Sequence, residues 1–491
     1  MTENIFKTAV LHHSKGNFSK AKEIYEGFLK TNPNNLAALQ NYGTLLSQTK
    51  EYKKAEDIFE KCLKIKPRDH LLLYNYGKCF HDQKIFEKAI KFYEESFKIE
   101  PKKNLSIYNM GNIYFSKGEF EKAISAFKRS IEVNSENFLA HNNLALSYKS
   151  IGNFSDSLKS HRNAIEKNQS YVDGHVNYST QLLMLEKFQE GFEEYEWRKK
   201  SKSFSDYINY SKLNLTSKVW NGENLNNKKL LVIAEQGIGD LIQFARYLYL
   251  IKKKYNVEMI LYLKSKKFSH FFDEKNFTII SEGNKIPNHD YHNHMLSLLK
   301  IFLKEKNLFC KPVNFFQRNK EVEIKWSERL KKYKGLKIGI NSSTSMLTKD
   351  IPMKYFARLA SSFDFKFIVI QKEVNKNELK EISNKKNILN FPDLDSSKQA
   401  FIDSIEIIKN LDVVITADTS TAHLSATLGK KTWILLPFVA DWRWFLDESN
   451  SKWYENVTLY RSKKIDDWDS PFKMIERDLK KIFFKDKYLK R

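Results

Sequence analysis

Along the first two-fifths of the chain the apolar positions recur with a fixed step. Ala21, Ala55, Ala89 and Ala123 stand 34 residues apart, with Ser157 next in step, and Tyr25, Phe59, Tyr93 and Phe127 follow each alanine by four places. That spacing puts both side chains on one face of a helix. A second series, Gly43, Gly77, Gly111, Ala145 and Ser179, keeps the same interval and marks helices whose partners cross closely. Pro33, Pro67 and Pro101 end successive units, because the proline ring and missing N–H cannot continue a helix interior. The pattern predicts five clear helix pairs and a degenerate sixth, filling residues 1–198 and ending near Glu196-Trp197-Arg198.

A 34-residue helix-pair repeat is the period of a tetratricopeptide array. In such arrays terminal units diverge because they cap the stack or dock onto a neighbour. One series is not core-forming. Asn41, Asn75, Asn109, Asn143 and Asn177 each stand two places before the small residue of their unit. An amide adds little to helix formation but offers a donor and an acceptor. One amide per unit on the concave-side helix suits a polypeptide backbone, and the arrangement resembles the asparagine ladder of O-GlcNAc transferases. A protein or peptide partner is the expectation; solvated or structural asparagine is the alternative.

After Trp197 the periodicity changes. A polar, aromatic linker over 199–227 leads to an apolar strand, Leu230-Leu-Val-Ile-Ala234, then Glu235-Gln-Gly-Ile-Gly-Asp240 and a helix from Leu241 to about Lys253. Strand, glycine turn and helix open an α/β domain, read here as 228–330. A second α/β domain, 331–491, has strands at 337–340, 365–370, 412–416 and 432–436 between helical stretches near 353–363, 375–384 and 398–410. This alternation predicts a mostly parallel sheet covered on both faces.

Composition fits several folded domains. The chain has 491 residues, 41% of them apolar and 14% aromatic, beyond the size at which one core stops growing. The formal net charge of +24 is spread as lysines over helix faces (Lys252-Lys253-Lys254, Lys331-Lys332, Lys463-Lys464). With no nucleic-acid-binding motif beside it, this reads as a solvated surface with general affinity for anions, including an anionic membrane face. Nucleic acid is not expected. Cys62, Cys79 and Cys310 form neither a disulfide framework nor a metal spacing. With no signal-like segment and no run of about 18 apolar residues, the expectation is a cytoplasmic protein.

The chemistry is expected at strand ends, where ligands of parallel sheets bind. Gly237 and Gly239 let the backbone turn sharply, but the dinucleotide fingerprint and the P-loop are both excluded: Ile242 stands where the former needs glycine, and the latter's G-K-[ST] is missing. Asp240 suits either the helix dipole or a general base. The later strands end in Asn341-Ser342-Ser343-Thr344 with Lys349 following, in Gln371-Lys372, and in Asp418-Thr419-Ser420-Thr-Ala-His423. Hydroxyls and backbone amides at a helix start suit a phosphate, and Asp418 and Thr419 also suit an N-cap.

Four motifs in order carry a resemblance. They are Ala234-Glu-Gln-Gly-Ile-Gly-Asp-Leu-Ile-Gln-Phe-Ala-Arg-Tyr247, Asp418 to Leu424, Leu435 to Trp444 with Asp441-Trp-Arg443-Trp, and Trp453-Tyr454 with Asp466-Asp-Trp-Asp469. Together with the repeats, nearly the whole chain resembles bacterial tetratricopeptide proteins fused to a heptosyltransferase-like glycosyltransferase. The resemblance implies a GT-B fold of two Rossmann-like domains behind the α-helical repeats, with a nucleotide-sugar donor held mainly by the C-terminal one. By position it makes Asp240 the general base and sets Gly237 and Gly239 against donor and acceptor. It places Thr419, Ser420 and His423 near the donor phosphates, faced by Asn341, Ser342, Ser343 and Lys349; Gln371, Asp418 and Arg443 complete the donor set, although the aromatics flanking Arg443 suit a core beneath the final helix as well as they suit a base or sugar. No cofactor or metal is implied. Two departures stand out: Asn341-Ser-Ser-Thr replaces the Trp-Ser-Gly-Asn-like loop, and Lys349-Asp350 replaces Arg-Ser.

The expected function is transfer, inverting or retaining, of a sugar from a nucleotide-activated donor to a protein chosen by the repeats, such as flagellin or another surface protein. The alternatives are a non-catalytic adaptor with a degenerate sugar-binding domain, and a lipopolysaccharide-core heptosyltransferase-like enzyme.

Overall fold

The structure, a computed structural model, describes residues 2–101, 105–202, 204, 213, 215–343, 350–446 and 449–489 and, of 2 and 483–489, the backbone. Two compact units divide the chain, Met1–Gly174 and His175–Arg491.

Paired helices make up the first unit. Its pairs are Thr2–Ser14 with Phe18–Thr31, Leu36–Gln48 with Tyr52–Ile65, His70–Asp82 with Phe86–Ile99, Ser106–Ser116 with Phe120–Val133, and Phe138–Ser150 with Phe154–Lys167. The series Ala21, Ala55, Ala89 and Ala123 is fully buried, as are Tyr25, Phe59, Tyr93 and Phe127. The small residues of the first helices are small for a reason that can be measured. A Cβ on Gly43 would lie 2.9 Å from Phe59 Cε1, on Gly77 2.9 Å from Tyr93 Cδ1, and on Gly111 2.5 Å from Phe127 Cε1. Asn35, Asp69 and Asn137 cap the first helices by accepting hydrogen bonds from backbone N–H groups one turn on.

The beat continues into Val172–Met184, which spans the division, and Phe188–Tyr195, which lies in the second unit with a 3-10 turn at Glu196–Lys200. Beyond them stand two parallel sheets flanked by helices. The first contains β1 (Lys218–Val219), β2 (Lys228–Ile233), β3 (Val257–Leu263), β4 (Thr278–Ser281) and β5 (Tyr291–His294) in the order β1-β5-β2-β3-β4. The second contains β6 (Lys337–Asn341), β7 (Lys366–Val369), β8 (Ile388–Leu389), β9 (Val413–Ala417), β10 (Thr432–Leu436) and β11 (Val457–Arg461) in the order β11-β10-β9-β6-β7-β8. All strand pairs in both ladders are parallel. Each order reverses direction where the chain first crosses over, at β2 and at β6, which opens a crevice beyond the strands' carboxyl ends.

The helix expected from Leu241 to about Lys253 is two helices, Ile238–Phe244 and Arg246–Lys254. Apolar β2 and β6 read correctly because strands buried on both faces need continuous hydrophobic runs. Strand β5, Tyr-His-Asn-His, has no such run and escapes a reading of periodicity. Among the described residues no helix is long and apolar enough to cross a membrane.

Candidate functional site

A cavity of about 510 Å³ lies at the carboxyl ends of β2, β6, β7 and β9. Its wall comprises the Gly237-Ile238-Gly239 turn, Asn341 and Ser343, the segment Ile370 to Glu373, and Asp418 to Thr421 at the start of the helix Ser420–Thr427. The loops after the two crossover strands therefore share one space. Gly239 makes this possible: a Cβ there would stand 3.1 Å from His423 Cδ2 and 3.6 Å from Ser420 Cα. Thr419 caps the helix by accepting from Thr421 N–H. Asn341 donates to Thr421 Oγ1 at 2.8 Å, joining β6 to the same turn.

The sequence-named residues divide by placement. Gly237, Gly239, Asn341, Ser343, Gln371, Asp418, Thr419 and Ser420 line the cavity; Asp240, Ser342, His423 and Arg443 do not. Ser342 is fully buried; its N–H donates to Gln371 Oε1 at 2.9 Å, and its hydroxyl, with one proton to give, lies 2.9 Å from both that oxygen and Glu378 Oε1. It ties β6 to the next loop. Gln371 is held on both sides as well, its amide donating to Glu373 O at 3.1 Å. Lys349 lies outside the described residues.

Asp240 is placed by two contacts. One carboxylate oxygen accepts from Gly237 N–H at 3.2 Å and the other pairs with Arg443. Arg443 also donates to Asp441 at 2.7 Å and lies over the Trp442 ring at 4.6 Å. Removal from water pushes the Asp240 carboxyl above the usual aspartate range, Arg443 opposes this, and Asp441 adds to it. The flanking carboxylates hold Arg443 well above its ordinary value although burial acts against it. Trp444 donates to Asp418 Oδ1 at 2.8 Å and stacks on His423, ring centroids 5.3 Å apart. His423 Nδ1 meets Tyr454 Oη at 3.1 Å. Asp441-Trp-Arg-Trp thus braces the site.

Residues that sequence reading missed complete the wall: Asp395, Ala400, Phe401 and Ser404. Asp395 accepts from the backbone N–H groups of Asp403 and Ser404, fixing the turn in which Phe401 takes a left-handed φ of 63°. A bulky residue there is strained, and strain gathers at ligand sites. Local pattern gives no signal for it.

The asparagine series is half-buried, and Asn41, Asn109 and Asn143 are engaged within the array. Asn109 donates to Tyr74 Oη at 3.1 Å and Asn143 to Tyr108 Oη at 3.2 Å. These two amides therefore grip the preceding unit's tyrosine. Asn41 donates back to Ala37 O within its own helix. Asn75 is half-buried, and Asn177 belongs to the second unit.

Sequence-family models described as tetratricopeptide repeat match residues 12–72 and 71–103, and one described as TPR repeat matches 111–152. No curated protein sequence matches this chain. Among solved structures, pilF of Pseudomonas aeruginosa is 15% identical, the match covering 44% of this chain and 97% of that one with a TM-score of 0.38. PilW, a widely conserved type IV pilus biogenesis factor, is 18% identical over 43% of this chain and 97% of its own, also with a TM-score of 0.38. YrrB, a TPR protein with an unusual peptide-binding site, is 15% identical over 38% of this chain and 97% of its own, with a TM-score of 0.31. The N-terminal part of the chain carries tetratricopeptide repeats, and the matches place them within residues 12–152.

Proposed function

We propose that the chain is a glycosyltransferase of GT-B architecture that moves a sugar from a nucleotide-activated donor to a protein or peptide held by its repeats. The observation that carries the reading is one cavity walled by Gly237 and Gly239 from the first sheet and by Asn341 and Asp418 to Thr421 from the second. A nucleoside diphosphate fits the amide and hydroxyl donors at the start of Ser420–Thr427. The acceptor hydroxyl would form a bond to the anomeric carbon as the bond to the diphosphate breaks. Asp240 would take the hydroxyl proton. Arg443, held on Asp240 and Asp441, would supply positive charge beside that base.

The acceptor side rests on the repeats, whose usual partners are polypeptides. A cytoplasmic location and contact with an anionic membrane through surface lysines belong to the same proposal. A second reading has its own observation: the occupied Asp240 carboxylate suits a non-catalytic adaptor. The lipopolysaccharide-core reading predicts membrane association that salt removes.

Thermal shift of the purified protein against UDP-, GDP-, ADP- and CMP-linked sugars tests the proposal, since a ligand of the native state raises the melting temperature. One nucleotide should give a shift that Gly239→Ala abolishes. No shift with any of the four supports the adaptor.

A further inference from the structure

The helix Phe188–Tyr195 continues the repeat register. Gly191 stands 34 residues after Ser157, and Tyr195 stands 34 after His161 and 68 after Phe127. Tyr195 is therefore the core aromatic of the sixth unit, and its ring is buried as that role requires. Its hydroxyl has a different destination. Gln236 Nε2 donates to Tyr195 Oη at 3.0 Å, and Gln236 Oε1 lies 3.3 Å from the same oxygen.

Gln236 needs a holder. It takes a left-handed φ of 62° immediately before Gly237, a conformation that strains a residue with a side chain. The next turn presents Asp240, whose carboxylate is tied back to Gly237 N–H. The residue before Gln236 is held from the same place: Arg198 lies over the Tyr195 ring at 4.7 Å and donates twice to Glu235. The other side of the pair is braced too. Phe192 and Tyr195 both meet the Trp442 ring edge-on at 6.2 Å, next to Arg443.

We infer that Tyr195 is a positioning residue: its hydroxyl fixes the strained backbone at Gln236 and so places Asp240 at the end of the turn whose Gly237 and Gly239 line the cavity. The last unit of the repeat array thereby supplies a part of the α/β site. This rests on the reading of Asp240 as the base, and the test separates the two.

The experiment compares full-length wild type with Tyr195→Phe, which keeps the ring and removes the bond. Hydrogen exchange is followed in the peptide spanning 234–241, and release of the nucleotide leaving group is followed with whichever nucleotide sugar stabilises the wild type. Loss of one neutral hydrogen bond corresponds to about a tenfold change. The expected result is about tenfold faster exchange at Gly237 to Asp240, unchanged exchange in the remaining helices, and about tenfold lower kcat at unchanged donor KM. Should Tyr195→Phe fail to fold, Gln236→Ala severs the same contact from the other side. Unchanged exchange in the loop, or acceleration spread over the whole second unit, overturns the inference. Faster loop exchange in a protein that binds none of the four nucleotide sugars upholds the positioning role and sinks the transferase reading.

Discussion

Arg198 and Glu235 form a two-point ion pair inside the second unit. Arg198 Nη2 lies 2.7 Å from Glu235 Oε1 and Nε lies 3.2 Å from Oε2, with side chains 3% and 0% exposed. Glu235 Oε1 also accepts from Leu296 N–H at 3.0 Å, and Arg198 donates to Ser297 Oγ at 3.0 Å. Glu235 is thus a fastener, although it sits in the motif that also carries Asp240. Glu196 joins the cluster; burial raises its carboxyl, but Arg198 and Lys199 outweigh this and hold it at about 2.

Arg198→Ala should therefore destabilise the second unit by about 3–5 kcal/mol, since it leaves the buried Glu235 carboxylate with no counter-charge from Arg198 and only the Leu296 N–H bond. All eight tryptophans lie after Gly174, so tryptophan fluorescence in a urea titration reports this unit. Its midpoint should fall while the helical circular dichroism of the repeats keeps its own transition. A double change to apolar residues of similar volume should recover much of the loss.

Arg443 opposes the effect of burial on Asp240. Arg443→Ala should move the Asp240 carboxyl still further up. A base must be ionised to act, so the acid limb of the pH–rate profile should shift to higher pH. A limb that stays in place would show that Asp240 does not set it. The linkage also has a sign: a carboxyl raised by folding holds a proton that the unfolded chain has released. Stability from this group is therefore present below the unfolded value and is lost as pH rises through the folded one. Arg443→Ala should widen that window.

How much of this was legible follows from what each contact depends on. The repeat core was readable because Ala89 and Tyr93, or Gly111 and Phe127, recur at a step that local helix geometry explains. Strand ends were readable from apolar runs and the glycine turn. The Asp240–Arg443 and Arg198–Glu235 pairs join residues 203 and 37 positions apart, and no local period encodes them. Tyr195 was hidden differently, because it obeys the repeat rule and its hydroxyl alone departs from it.

Gly111→Ala tests the close crossing in the fourth unit. The added carbon would lie 2.5 Å from Phe127 Cε1 and 2.9 Å from Cζ, so the fully buried ring has to move. Overpacking of this kind costs about 1–3 kcal/mol. The helical transition should fall by that amount with the tryptophan transition unchanged, whereas an unaltered midpoint would mean that the helices separate freely there.

Asn109→Ala with Asn143→Ala tests the asparagine series. Each amide grips a tyrosine hydroxyl that is only half-buried, and a neutral bond of that kind contributes about 1 kcal/mol. The pair should lower the helical midpoint modestly. Capture of a polypeptide client should weaken by more than this loss accounts for if the amides also meet the client; unchanged capture would leave them as structure alone.

His161 gives the repeat unit a pH dependence of its own. It occupies the position of Phe127 one unit later, is fully buried, and burial holds its imidazole down to about 3. In the unfolded chain the same ring titrates near 6.5. Between those values the unfolded state binds a proton that the folded state refuses, so stability falls as pH falls through the window and is flat above it. The slope from this one group is about 1.4 kcal/mol per pH unit, or about 2 kcal/mol between pH 7 and pH 5. His81, also lowered by burial, adds in the same direction. His161→Phe restores the aromatic of the preceding unit and removes only the His161 share. Urea midpoints of the helical transition at pH 7 and pH 5 should therefore separate less in the variant than in the wild type. Equal separations would show that the imidazole is protonated within the folded repeats, with water or a neighbouring group stabilising its charge.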